Sequence, residues 1–345
     1  MREWFERAAD PGRVHTEGHV VRAVVEEARE QVAAMLGARS REVVFTSGGT
    51  ESCVTATWMA TERGRHVVLP AVEHSCVREA SRQFGDVTEV GVDRAGRVDA
   101  GDLLAAVTPA TALVHVQWGN HEVGTLQPVA EVVAACRERG VLVHVDAAMA
   151  AGHVPISFGD LGADLLSVSS HKLGGPPGVG ALLVRRGLRL RPLLVGGDQE
   201  RARRAGLENV PAIVGFGAAC AAIDVAAEGE AQRRRTDAVR HADLGPGVDV
   251  LGDPVERLPH VLCLSVEGVE AEPVLLGLDQ AGIAVHSGSS CSSESLEPSP
   301  VLEAMGVDAS RSLRVSVGWS TTDDDVHAFV RALPPILDRL RGLGS

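Results

Sequence analysis

Between residues 20 and 36 the apolar positions Val21, Val24, Val25, Ala28, Val32 and Leu36 recur at three- and four-residue spacing, with Glu and Arg between them. That spacing predicts a helix. Farther along, short Val- and Leu-rich runs at residues 42–45, 65–70, 111–116, 141–145, 164–168 and 180–184 alternate with helical or loop stretches such as 129–139. Near-continuous apolar strands in β-α alternation predict a mostly parallel sheet covered by helices on both faces. Residues 212–240 read as one long helix. Beyond it, Pro- and Gly-punctuated strands at 260–266, 283–287 and 312–317, with helices at 273–281 and 324–340, predict a smaller α+β domain. The expected division is a large domain over residues 1–231 and a small C-terminal domain over 232–345.

Charge narrows the function classes. The formal net charge is −13, and the dense basic runs, Arg201 with Arg203 and Arg204 and then Arg233 to Arg235, are short. Direct binding to nucleic acid is therefore not expected. Nothing at the start resembles a signal peptide, and no run reaches the roughly 18 uninterrupted apolar residues of a membrane span. A cytoplasmic protein is expected. The six cysteines (Cys53, Cys76, Cys136, Cys220, Cys263, Cys291) form no C-x-x-C pair and no metal-ligand spacing, so neither a disulfide framework nor a metal site is expected.

One count goes further. Of 33 Lys and Arg residues, Lys172 is the only lysine. Drift towards arginine on the surface explains the others. It does not explain a lysine retained in a glycine-rich, apolar setting. A lysine amine can lose its proton and form an imine, which a guanidinium does not do readily. Lys172 is thus a candidate covalent anchor.

In open α/β sheets ligands gather at the carboxyl ends of strands. Thr46-Ser47-Gly48-Gly49-Thr50-Glu51-Ser52, after the first run, is a glycine turn able to open a helix and present amides to a phosphate, although such turns are common. Asp146 ends the run at 141–145, where it can serve as a helix cap or as partner to a cationic ring nitrogen. Ser169-Ser170-His171-Lys172 ends the run at 164–168 and precedes a Gly/Pro loop. His74 and Asn120 follow two further runs. Each alone has a structural reading; their joint placement points to a site.

With these residues in view, the chain resembles the cysteine desulfurases of the NifS/IscS type, class V aminotransferases of pyridoxal phosphate (PLP) fold type I, over about residues 10–339. Ser169 to Lys172 is similar to the family's Ser-x-His-Lys signature. Ser287-Gly288-Ser289-Ser290-Cys291-Ser292-Ser293, followed by Leu296-Glu297-Pro298-Ser299, is similar to the catalytic loop of group I desulfurases. The resemblance implies an α/β fold of the aminotransferase type, with the small domain carrying the cysteine loop. It implies that Lys172 carries pyridoxal 5'-phosphate as a Schiff base, that Asp146 pairs with the pyridine nitrogen, and that His74 stacks on the ring. Gly49, Thr50, Ser169 and His171 would hold the phosphate. Asn120, in Asn120-His121-Glu122-Val123-Gly124, would contact the cofactor or the substrate carboxylate, and Arg314 would clamp that carboxylate. Cys291 would take sulfur from L-cysteine as a persulfide, leaving L-alanine, and pass it to an acceptor protein within a system such as iron-sulfur cluster biogenesis. A homodimer is also implied. Met149 stands where members usually carry a cofactor-binding glutamine, and Leu207 where they carry a threonine that reaches the neighbouring subunit's cofactor. The competing readings are a selenocysteine lyase or another PLP-dependent lyase, and a degenerate, non-catalytic partner or scaffold of a sulfur-transfer system.

Overall fold

The apolar runs become strands in the computed structural model, which describes residues 1–6, 10–287 and 298–343. Among the described residues, β1 (Val43–Thr46), β2 (His66–Pro70), β3 (Asp86–Val90), β4 (Thr111–Gln117), β5 (Leu142–Asp146), β6 (Leu165–Ser169) and β7 (Gly180–Val184) form one sheet in the order β1-β7-β6-β5-β4-β2-β3. The neighbours from β3 to β6 run parallel, and β7 is antiparallel to both β6 and β1. Every residue of β1, β4, β5, β6 and β7 is buried, which explains why their sequences show apolar runs without alternation. The edge strand β3, Asp-Val-Thr-Glu-Val, is mostly half-exposed and carries no apolar run to announce it.

Two compact units divide the chain. The first comprises residues 1–90, 100–118 and 128–225; the second comprises 91–99, 119–127 and 226–345. Two early segments, 91–99 and 119–127, thus belong to the second unit together with the C-terminal stretch. Hydrogen bonds tie them together: Arg97 donates to Leu126 O at 2.8 Å, and Gln127 accepts from Val98 N at 3.0 Å and donates to Gly96 O at 2.7 Å. Leu126 N in turn donates to Glu256 O at 2.9 Å.

The second unit holds an antiparallel sheet of β8 (Val248–Leu251), β9 (Val261–Val266), β10 (His286–Ser287) and β11 (Ser312–Ser316), ordered β10-β11-β9-β8. Helices Ala271–Gln280 and Asp323–Leu343 pack together, and Leu264, Val274, Leu278, Leu313, Phe329 and Leu333 belong to the shared core. Each such buried side chain contributes roughly 1.5–3 kcal/mol relative to exposure.

The long helix expected over 212–240 is two helices, Val210–Ala222 and Val225–Arg240. Ile223 adopts an extended conformation (φ −81°, ψ 122°), and Asp224, a residue type favoured at helix starts, precedes the second helix. Periodicity alone carries no mark of a two-residue break. No single helix among the described residues is long and apolar enough to cross a membrane.

Beneath the carboxyl edge of the large sheet lies a buried polar chain. Thr57 Oγ1 donates to Cys53 O at 3.1 Å, so it must accept from His115 Nε2, also at 3.1 Å. His115 Nδ1 then accepts from His144 Nδ1 at 2.8 Å, and His144 Nε2 accepts from the Ser167 hydroxyl at 2.7 Å. One proton per imidazole satisfies this whole chain, which assigns both tautomers.

Both histidines are fully buried and neutral. Burial holds His115 down to about 3, and burial together with the neighbouring His115 holds His144 well below its ordinary value. The unfolded chain binds a proton at each histidine below pH 6.5 and the folded chain does not. Their stabilising contribution is therefore complete above that pH and is lost as pH falls through 6.5 and below. At pH 5 each histidine should cost the folded state about 2 kcal/mol relative to pH 8. Urea midpoints at the two pH values should show a drop that is markedly smaller in His115→Gln; an equal drop in that variant would rule out this origin.

Candidate active site

The N-terminal part of the site lies in the first unit. β1 ends at Thr46, and the chain turns through Gly48 (φ 156°) into helix Gly49–Ala60, whose start has no side-chain cap. The amides of a first helical turn lack intrahelical partners. A Cβ placed on Gly48 would meet nothing within 4 Å, so space lies open before them. Glu51 fixes this turn by accepting from Ser47 N at 2.8 Å and from both arms of Arg204 at 2.9 and 3.1 Å. Opposite stands Ser169 at the end of β6, 3.5 Å from where a Gly49 Cβ would lie, with its Oγ 3.0 Å from His171 Nδ1. The structure thus brings Gly49, Ser169 and His171 together, with Thr50 exposed on the first turn. Uncapped amides, a hydroxyl and an imidazole around open space suit a phosphate group.

Lys172 occupies the short 3-10 turn Ser170–Leu173, closed by Gly174 in the left-handed region. His153 Nε2 donates to Lys172 O at 3.0 Å, and Gly175 N donates to Ser170 O at 3.0 Å. The Lys172 side chain is exposed. Burial first, and then the adjacent Lys172 charge, lower the pKa of His171.

Asp146 ends β5, nearly buried, with Oδ1 accepting from Ala148 N at 3.0 Å. Met149 follows it, half-buried. His74 caps helix Ser75–Phe84: its Nδ1 accepts from Cys76 N at 3.1 Å, which puts the ring proton on Nε2. A carboxylate suited to a ring nitrogen, an imidazole, an amine and a phosphate cradle fit the PLP that the sequence implies.

Several residues here escaped the sequence reading. Glu73 is buried; its Oε1 accepts from Gln117 N at 2.6 Å, while Oε2 makes no hydrogen bond. Burial, and then repulsion from Asp146, raise it well above the usual carboxylate range. Cys53 and Cys76 approach each other beside Asp146. The hydrogen bond with Cys53 is the leading cause that pushes Cys76 down to about 6, whereas Cys53, bonded to Cys76 and fully buried, is raised. A carboxylic acid directly before His74, and a thiol two residues after it, were the available signals.

Asn120 and Arg314 lie in the second unit. Asn120 Oδ1 accepts from Glu122 N and Val123 N, both at 2.9 Å, so that oxygen is committed to holding its own turn. Arg314, half-buried on β11, donates to His121 O at 3.2 Å. Glu122 Oε2 accepts from Ser299 Oγ at 2.5 Å, joining the Asn-His-Glu-Val-Gly turn to the residue that closes Leu-Glu-Pro-Ser. Ser299 also caps helix Pro300–Ala304. Cys291 lies outside the described residues.

A cavity of about 690 Å³ elsewhere in the first unit is lined by Arg29, Glu200, Arg201 and Glu208 among others, and by none of the predicted site residues. Glu200 accepts from both Arg29 nitrogens at 2.7 Å, fastening the 198–208 segment to the buried side of the unit.

The match to a family model, aminotransferase class-V, runs over residues 2–329. A cysteine desulfurase of Nostoc sp. is 41% identical over 97% of this chain and 87% of its own length. The solved structure of a NifS-like protein from Rickettsia africae superposes with a TM-score of 0.89 at 29% identity, covering 98% of this chain and 94% of that one. A structure described as SspA in complex with cysteine gives 0.79 at 29% identity over 90% and 91%.

The cradle depends on a position where no Cβ fits. A Cβ on Gly180, in β7, would lie 2.6 Å from Val168 O and 2.8 Å from the Gly48 backbone. Backbone on both sides cannot yield as a side-chain tip would. Gly180→Ala should cost about 1–3 kcal/mol of stability and weaken phosphate binding. Urea denaturation together with inorganic phosphate titration would check both; unchanged values would show that the two backbones are not held.

Proposed function

The chain belongs to the class-V aminotransferase family, and on that premise we propose how its residues divide the work of a PLP-dependent cysteine desulfurase: Lys172 as covalent anchor and proton carrier, Cys291 as the group that takes the sulfur. The observation that carries this division is the gathering of Asp146, Ser169, His171 and Lys172 at the ends of two adjacent parallel strands, opposite the uncapped helix at Gly49.

When bound, PLP supplies an electron sink for the substrate's carbon framework. Asp146 favours the protonated ring nitrogen, and Gly49, Thr50, Ser169 and His171 hold the phosphate. The His74 ring, set by its cap hydrogen bond, would stack on the cofactor ring. Arg314 and Asn120 orient the carboxylate of L-cysteine; for Asn120 only the amide nitrogen serves, since Oδ1 is already engaged. The Lys172 amine would anchor the cofactor and would serve as the base that moves the substrate α-proton.

Cys291 then attacks the substrate sulfur as a thiolate. A sulfur-sulfur bond forms and the carbon-sulfur bond breaks, its electron pair staying with the carbon fragment. That fragment takes up one proton at Cβ, matching the one Cys291 lost, regains the α-proton through Lys172 and leaves as L-alanine, while the enzyme keeps a persulfide for an acceptor protein. The five described cysteines are free, which supports work in a reducing, cytoplasmic setting. Leu194, Val195 and Leu207 are exposed apolar residues on segments joined by the Ala205 N to Leu194 O hydrogen bond, which supports a homodimer.

Lys172→Ala should lose the cofactor's imine absorbance altogether. Cys291→Ala should keep that absorbance yet form no persulfide and release no alanine. Alanine at the wild-type rate from Cys291→Ala would dispose of the sulfur-transfer role. Arg314→Lys, which replaces a two-armed donor by a point charge, should raise KM for L-cysteine on the order of tenfold or more. Steady-state alanine formation would measure this, and an unchanged KM would remove Arg314 from carboxylate binding.

A further inference from the structure

Two thiols and a carboxylate from three separate elements meet at one end of the site. Cys53 Sγ comes from helix Gly49–Ala60, Cys76 Sγ from helix Ser75–Phe84, and a carboxylate oxygen from Asp146 at the end of β5; all lie within 4.8 Å of one another. In a tetrahedral zinc site with sulfur and oxygen ligands, the ligand atoms stand about 3.5–3.8 Å apart. With 4.8 Å as the outer limit, no pair exceeds that spacing by more than about 1.3 Å, a difference that side-chain rotation can supply. Both thiols are free. Paired thiolates favour zinc or cobalt over the hard cations magnesium and calcium. His74 Nδ1, 3.1 Å from Cys76 Sγ, borders the cluster.

We propose that the cofactor-free chain binds one thiophilic divalent cation of the zinc class through Cys53, Cys76 and Asp146, with water as fourth ligand, and that this ion and PLP exclude each other. The exclusion rests on the reading of Asp146 as partner of the cofactor ring nitrogen, because a carboxylate bound to the metal no longer serves the ring. Both sulfurs bind as thiolates, so whatever thiol protons they still hold pass to solvent, and no oxidation or reduction is involved. Cofactor loading then becomes a contest between PLP and metal, and freshly made protein holds either one or the other.

The test titrates cobalt(II) chloride into cofactor-free, full-length Cys291→Ser protein, so that the loop thiol contributes nothing. One equivalent should produce a sulfur-to-cobalt charge-transfer band, and zinc chloride should erase it. Cys76→Ser and Cys76→Ala should each weaken cobalt binding on the order of tenfold to a hundredfold. These variants decide the matter even if Cys53→Ser, at a fully buried position, disturbs folding. Preloading with zinc chloride should slow PLP uptake, followed by cofactor absorbance, on the order of tenfold, with relief by a chelator. No band, or a band undiminished in Cys76→Ala, overturns the site. A full band with unslowed PLP uptake overturns the exclusion. PLP affinity of Asp146→Asn without metal examines the ring-nitrogen reading separately: a wild-type value would defeat that reading while the cobalt band still reported on the metal site.

Discussion

The relative register of β4, β5 and β6 is the constraint on which the site rests. His115 stands opposite His144, Gln117 opposite Asp146, and Asp146 opposite Ser167, so Gln117 and Asp146 finish level while β6 runs two residues farther, to Ser169. A slip of one residue would turn every one of these side chains to the other face. Apolar strands slide past one another at little cost in burial, but the His115–His144–Ser167 chain is satisfied in one alignment only. Its buried imidazoles would be left without partners in any other, at about 1–3 kcal/mol for each orphaned group. The polar chain thus selects where Asp146 and Ser169 appear.

Much of this was legible in the sequence, for a physical reason. Strands buried on both faces must be apolar throughout, so β1, β2 and β4 to β7 announce themselves, and polar residues just after them mark the ligand edge. The edge strand β3 and the short β8, half-exposed, carry no such pressure. Candidate cofactor residues could be named because such chemistry demands particular side chains in a fixed local order. Glu73 and Cys76 were missed, although each is close to His74, because what sets them apart is burial beside Asp146, and that follows from packing between distant segments.

Asn120 shows the converse limit. A polar residue after a strand reads as a ligand, yet half of its amide is spent on keeping the 119–125 turn in shape. Glu122 has the structural duty of receiving Ser299, so a motif that looks like a string of contacts to a small molecule is in part a clamp on a neighbouring stretch of chain. The segments 91–99 and 119–127 belong to the second unit for the same reason. Their hydrogen bonds run to each other and to the chain near Glu256, and no linear pattern could disclose that.

That clamp sets a length scale for sulfur transfer. Ser287 is fixed by pairing with Leu313 in β11, and Ser299 is fixed by Glu122 and by its helix. Cys291 is four residues beyond the first anchor and eight before the second, so covalent geometry confines it to about 14 Å around Ser287, the longer side permitting about 28 Å. The short arm is the tether. Lengthening the chain between Ser287 and residue 291 would widen that radius, whereas lengthening it after residue 291 would leave the radius unchanged.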